Sequence, residues 1–298
     1  MIDKDDSKNA DNNKNQPKIH TIEIHNNRII SFWIGFNRST IFDWNTIGIE
    51  DDDVKCKIKA FTVLLFICFL TALVWGLHSS KEVTILSEDD VEIIVRYDDL
   101  MKIAFPKKPQ TERIVVIAVN CCYDTVVNDD IIHEGSVHGQ FLKRFAYSDE
   151  KRQALDAEIE SSLKAFGYEY EDISLNEKRE GKRKRYPMGS VSRIKGENGV
   201  TFFLLALTEF DVDCVAHCDK HQYFDCILKL FEYYDKHGQG KELYLYPMGT
   251  AMSRTGLSKK EALESIVLLT QISKNYLKCK TTIIVDKKCK NEISITDL

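Results

Sequence analysis

The chain has 298 residues, 41 of them basic and 46 acidic, for a formal charge of −5. That length accommodates one good-sized domain plus an appendage, and the acidic balance removes any global drive toward nucleic acid. The nine cysteines are scattered without disulfide-framework spacing, so free thiols in a reducing compartment are expected.

Residues 1–20 are polar, rich in Asn, Asp and Lys, and aperiodic; they read as a disordered tail with no signal peptide. Residues 21–80 read as a membrane region. Its main span is residues 60–80, which contain no Asp, Glu, Lys or Arg. As a helix, residues 60–77 would cover roughly 30 Å, the thickness of a hydrocarbon core. Trp75 sits near one end, as an interfacial indole would, with Lys55, Lys57 and Lys59 on one flank and Lys81 on the other. A buried helix of a large core is the competing reading. A weaker apolar segment, residues 29–36, is too short to span and reads as a strand, an interfacial piece or half of a hairpin. A single span with the N-terminal lysines inside places residues 81–298 outside the cell. The free thiols argue for the cytosol, and a two-pass arrangement reconciles the two.

From about residue 82 the pattern changes to alternating short strands and helices. Residues 83–86 and 91–96 read as strands, and Tyr97-Asp98-Asp99-Leu100 closes the second. Residues 114–119 are a β-branched apolar run, the mark of a fully buried strand, and the run stops at Asn120. An amide at a strand end can bond a ribose or base edge arriving at the sheet top. The loop that follows carries Gly135 and Gly139. Residues 149–165 read as a helix with Leu155, Ile159, Leu163 and Phe166 on one face. A strand at 201–207 ends in Thr208, and a helix at 216–234 follows. A strand at 243–246 leads into a second Gly-bearing loop, residues 247–256, then a helix at 258–276 with Ser258 and Glu261 as a capping box, then a strand at 281–285. Two strand ends that each deliver a glycine loop make a cradle for a diphosphate. The fold class is α/β: a three-layer domain at 81–298, its mixed sheet between helices, preceded by an N-terminal transmembrane segment.

The runs "YDDL", "IVVIAVN", "GSVHGQF", "YPMGSV" and "YPMGTAMSRTGLS" fall in the order and spacing of the macro domain, and residues 82–290 resemble that family. With the N-terminal apolar segment, the chain is similar more narrowly to the macro-domain effectors of bacterial Thoeris anti-phage systems. That resemblance implies a non-catalytic sensor at the bacterial inner membrane, its soluble domain cytoplasmic. It would bind an ADP-ribose derivative made from NAD by a TIR-domain partner, form a homo-oligomer and disrupt the lipid membrane. It implies no cofactor and no metal. Carried over residue by residue, Asp99 and Leu100 fall at the adenine end and Asn120 at the distal ribose. Ser136, Val137, His138, Gly139 and Gln140 fall in the first phosphate loop, and Gly249, Thr250, Ala251, Met252, Ser253 and Arg254 in the second. Thr208 is a further strand-end contact.

The first loop lacks the triple glycine of de-ADP-ribosylating macro domains. The second has Ala251 where glycine is common, so a positive φ there would be strained, with Arg254 as a compensating charge. Both departures favour a binder over the alternative, a membrane-tethered ADP-ribosyl hydrolase in which Asp124, Asp129 or Asp130 activates water. A membrane scaffold with a degenerate pocket is the third reading. Cys214, His217, Cys218 and His221 fall at helical i, i+3, i+4, i+7 spacing, but packed thiols and surface imidazoles are the preferred reading over zinc. The basic run Lys182-Arg183-Lys184-Arg185 reads as a solvated loop in preference to a lipid-headgroup contact. His138 reads as a hydrogen-bonding group or as a structural histidine.

Overall fold

The computed structural model describes residues 54–79, 81–250 and 253–298. The tail at 1–20 and the apolar segment at 29–36 lie outside the described residues. The chain divides into two units, Met1–Thr71 and Ala72–Leu298.

Helix α1, Val54–Ser79, has 26 residues and occupies the place of the expected span. It is apolar on every side: Leu65, Phe66, Phe69 and Val74 are all exposed. Its hydroxyls close on its own backbone, Thr62 onto the Ile58 carbonyl at 2.8 Å and Thr71 onto that of Cys68 at 2.9 Å. Among the described residues no helix is long and apolar enough to cross a membrane. The side chains of Lys57, Trp75 and residues 77–79, within α1, lie outside that described set.

In the second unit β1 (Glu82–Glu88) and β2 (Val91–Asp98) form an antiparallel hairpin. A short helix, α2 (Leu100–Ala104), leads to β3 (Arg113–Asn120). Helices α3 (Val137–Phe145) and α4 (Asp149–Ala165) follow. Two minor strands, β4 (Glu171–Asp172) and β5 (Lys184–Arg185), pair with each other. Then come β6 (Val191–Lys195), β7 (Val200–Phe210), β8 (Ala216–His217), α5 (Lys220–His237), β9 (Glu242–Leu245), α6 (Lys259–Ile272) and β10 (Lys280–Asp286). The main sheet runs β1-β2-β10-β9-β3-β7-β6, with β8 appended to β7. The five strands from β2 to β7 in that order are parallel, and β1, β6 and β8 pair antiparallel.

Strand alternation builds two cores. Ile114 and Val116 of β3, with Phe203, Leu205 and Leu207 of β7, face α5 and α6. Val115, Ile117 and Val119, with Phe202, Leu204 and Ala206, face α2, α3 and α4. Side chains successive along a strand point to opposite faces, so each buried run serves both layers. The expected three-layer α/β architecture with a mixed sheet is the one observed.

Two expected elements shift. The helix read at 216–234 begins at Lys220, because Asp219 caps it in a box with Gln222, while Ala216 and His217 pair with β7. The first glycine loop becomes helix α3 at Val137, where Ser136 caps the Gly139 N–H.

Candidate functional site

The parallel strands deliver their C-terminal ends to one edge of the sheet, where a cleft of about 670 Å³ opens. Asn120, Thr208, the loop at 129–138, the segment 213–216, residues 246–250, Ser253 and Arg254 line it. A smaller hollow of about 210 Å³ adjoins it between β2, β10 and α3, and shares Val137, Tyr246, Pro247, Thr250, Lys259 and Asp286 with the first.

Asn120 sits at the floor and is buried. Its Oδ1 accepts from the Cys122 N–H at 3.0 Å and the Asp124 N–H at 3.4 Å, which fixes the amide's orientation. Its Nδ2 has no partner. A buried amide donor without an acceptor costs about 1–3 kcal/mol, and Asn120 lines the cleft. Thr208 pairs in register with Asn120 across a bulge and lines the same floor.

The first loop is fixed by its near neighbours. Ser136 Oγ accepts from Gly139 N at 2.9 Å and donates to the His133 carbonyl at 2.7 Å. Gln140 Nε2 donates to the Gly135 carbonyl at 3.0 Å. Gly139 is required by proximity: a Cβ there would lie 2.3 Å from the His133 carbonyl oxygen. The N–H groups of a helix's first turn lack intrahelical acceptors, and Val137 and His138 at that turn line the cleft. The His138 ring is partly exposed, yet burial of its surroundings and the nearby Lys182 charge push its pKa down to about 3, so it is neutral.

The second loop takes its shape from below. Gly249 has φ +84°, and a Cβ there would lie 2.9 Å from the Tyr223 ring. The Thr255 hydroxyl donates to the Gly249 carbonyl at 2.5 Å. Ala251 and Met252 lie outside the described residues. Among the described residues of the loop, positive φ angles fall at Gly249, at Arg254, whose φ is +50°, and at Gly256. Arg254 is exposed and lines the cleft with Thr250 and Ser253.

At the smaller hollow Asp99 and Leu100 are present as expected. Asp99 spends its Oδ1 capping α2, on the Met101 N–H at 2.9 Å. Asp98 joins it, which sequence reasoning missed. Burial raises the Asp98 carboxyl, but the Asp99 N–H, Lys287 and Arg96 outweigh it and hold the group below the usual carboxylate range. Gln140 also lines this hollow. Tyr246 was missed too: its hydroxyl accepts from the Ala118 N–H at 3.3 Å, where β9 has already ended, and its ring stands between the two hollows.

Asp124 is corrected as a water-activating candidate. It is buried and paired with the fully buried Lys178, and its Oδ1 accepts from the Lys182 N–H at 2.6 Å. Its carboxylate therefore pins the 178–182 loop beneath the strand end. Asp129 and Asp130 do line the cleft. Three members of the basic run are paired in place: Lys182 with Asp156, Lys184 with Glu160, and Arg185 with Glu171 and Glu177. The Cys214–His221 set does not share a helix face, since Cys214 has φ +58°, His217 bonds Asp211 at 2.8 Å and Cys218 is buried. Among the described residues no metal-holding cluster occurs. Cys68, Cys121, Cys122, Cys214, Cys218, Cys226, Cys279 and Cys289 are free thiols.

With this geometry in place, the family model described as "Thoeris protein ThsA, Macro domain" matches residues 93–286. The chain is 25% identical over 259 residues to the Thoeris protein ThsA of Bacillus amyloliquefaciens strain Y2, covering 85% of this chain and 82% of that protein. Among solved structures it is similar to the Oceanobacillus iheyensis macrodomain with ADP, at 11% identity and a TM-score of 0.44, over 70% of this chain and 90% of that one. A mutant of that macrodomain with ADPR gives 11% identity and a TM-score of 0.44, over 70% and 91%.

Proposed function

Because the chain belongs to the Thoeris ThsA macro-domain family, we propose that its cleft binds an ADP-ribose-type nucleotide as a signal in anti-phage defence. The observation that carries this is Asn120, a residue lining the cleft whose buried Nδ2 has no hydrogen-bond partner. Val137 and His138 in the first turn of α3, and Gly249, Thr250, Ser253 and Arg254 of the second loop, flank it, and the open N–H groups of that helix turn would serve as backbone donors for a diphosphate. Asp98 and Asp99 offer acceptors at the far hollow for a base that carries an amine.

The signal would be made from NAD by a TIR-domain protein, and binding would reorganise a homo-oligomer that breaches the membrane. The membrane part of this reading rests on the uncharged apolar run at residues 60–77, which falls on helix α1. Apolar side chains are exposed on all its sides and its threonine hydroxyls are satisfied internally, a surface suited to lipid. The second unit would then lie at the cytoplasmic face of the bacterial inner membrane. A ligand can shift such an assembly only by its differential affinity for the two states.

Binding and hydrolysis are separated with two probes. The full chain in detergent is dialysed to equilibrium against ADP-ribose: retention supports the nucleotide reading, and no retention contradicts it. It is then incubated with an ADP-ribosylated protein: release of free ADP-ribose supports the hydrolase, and no release supports the sensor.

A further inference from the structure

Lys178 is a fully buried cation that does not line the cleft. Its side chain is 0% exposed and meets the Asp124 carboxylate, itself 2% exposed. Its Nζ also donates to the Lys182 carbonyl at 2.8 Å and stands 5.6 Å from the centre of the Phe210 ring. Taking both charges out of water is costly, and an apolar pair of similar volume often serves stability as well. Stability alone therefore does not account for the pair.

Its contacts lead to the cleft from two sides. On one side, the Asp124 N–H donates to Asn120 Oδ1 at 3.4 Å, beside the Cys122 N–H at 3.0 Å. The turn between Asn120 and Asp124 is strained, because Tyr123 has φ +51°, a conformation that bulky side chains rarely adopt. Three bonds hold it. The Tyr123 N–H donates to the Asn120 carbonyl at 2.9 Å, its hydroxyl donates to the Ser190 carbonyl at 2.8 Å, and Lys182 Nζ donates to its carbonyl at 2.7 Å. On the other side, Phe210 lines the cleft. Arg179, next to Lys178, pairs with Asp213 at 2.9 Å, and its N–H donates to the Val212 carbonyl at 3.3 Å. Asp213 and Cys214 line the cleft as well.

We propose that Lys178 is a positioning residue of the nucleotide site: through Asp124 it fixes the strained turn that orients the Asn120 amide, and through its loop it holds the wall from Phe210 to Cys214 in register with that turn. This deepens the nucleotide-binding reading above and rests on it.

Lys178→Met alone leaves a buried carboxylate without its partner, a strongly destabilising change. Lys178→Met combined with Asp124→Asn removes both charges at similar volume and is expected to fold. Leu163→Ala, at a buried core residue of α4, is the control for general destabilisation. In the full chain in detergent, ADP-ribose affinity is read by calorimetry and amide hydrogen exchange by mass spectrometry. The double variant is expected to bind about tenfold more weakly, with faster exchange at 120–124 and 211–216 and none of that change in α6. Leu163→Ala is expected to melt earlier yet bind as the wild type does. In the wild type, ADP-ribose at ten times the dissociation constant is expected to slow exchange at 178–182, a segment that does not line the cleft, by about tenfold.

Wild-type affinity in the folded double variant would overturn the role of Lys178 while the nucleotide reading stands. An equal loss of affinity in Leu163→Ala would overturn it as well, since binding would then follow stability at large. Where the double variant does not fold, the wild-type exchange decides, and unchanged rates at 178–182 with ADP-ribose bound would overturn the assignment. No binding of ADP-ribose by the wild type would overturn the nucleotide reading and the assignment of Lys178 together.

Discussion

The two glycine loops flank the same cleft but are built differently. The first is held by residues within five positions of one another: Ser136 to Gly139, Ser136 to His133, Gln140 to Gly135. The second is held by Tyr223 on α5 and by Thr255, with Gly249 in a left-handed conformation against the ring. Helix capping makes an anion cradle out of local sequence, whereas a positive-φ glycine makes one only when tertiary packing enforces it. The first loop is therefore expected to fail locally, and the second to take the surrounding core with it.

The largest break comes at Gly249→Val. The left-handed conformation and the contact with the Tyr223 ring together cost about 3 kcal/mol. Thermal unfolding should show the whole unit melting earlier, with ADP-ribose binding lost. An unchanged melting temperature would mean that the second loop yields as freely as the first. A smaller change is expected at Ser136→Ala, which removes a cap worth about 1 kcal/mol. Hydrogen exchange should rise in the first turn of α3 and leave α6 untouched. Exchange spreading to α6 would erase the distinction between the loops.

The smallest effect is a pH slope centred on the first loop. His138 titrates near its ordinary 6.5 when unfolded but is pushed down to about 3 when folded. Between those values the unfolded chain holds the extra proton, so stability falls as pH drops below 6.5. The loss between pH 7 and pH 6 is under about 1 kcal/mol, and His138→Gln should reduce it. A slope as steep in the variant as in the wild type would assign the dependence elsewhere.

The contrast also explains what was legible beforehand. The β3 run and its terminal Asn120, helix α4 with Leu155, Ile159 and Leu163, and the Ser258–Glu261 box at α6 are local signals, and each element starts within a residue of where those signals put it, although α6 ends at Ile272 instead of 276. The start of α5 was legible too, since Asp219 and Gln222 form a capping box, but the helical spacing of Cys214 and His217 masked it. Other features depend on residues far apart in sequence. Lys178 claims Asp124, Tyr246 reaches Ala118, and Tyr97 anchors the chain at Ile293, pairings that no periodicity announces. The short edge strand β6, whose residues 191–195 alternate only briefly, was not read at all.

The central claim is that the buried Asn120 amide is held for a nucleotide, and calorimetry of the full chain in detergent tests it most directly. ADP-ribose is titrated into the wild type and into Asn120→Ala, with a melting curve for each. The account predicts saturable binding to the wild type and at least about tenfold weaker binding to the variant, the loss of one buried hydrogen bond of about 1.4 kcal/mol. Equal affinity in a variant that folds normally would contradict it.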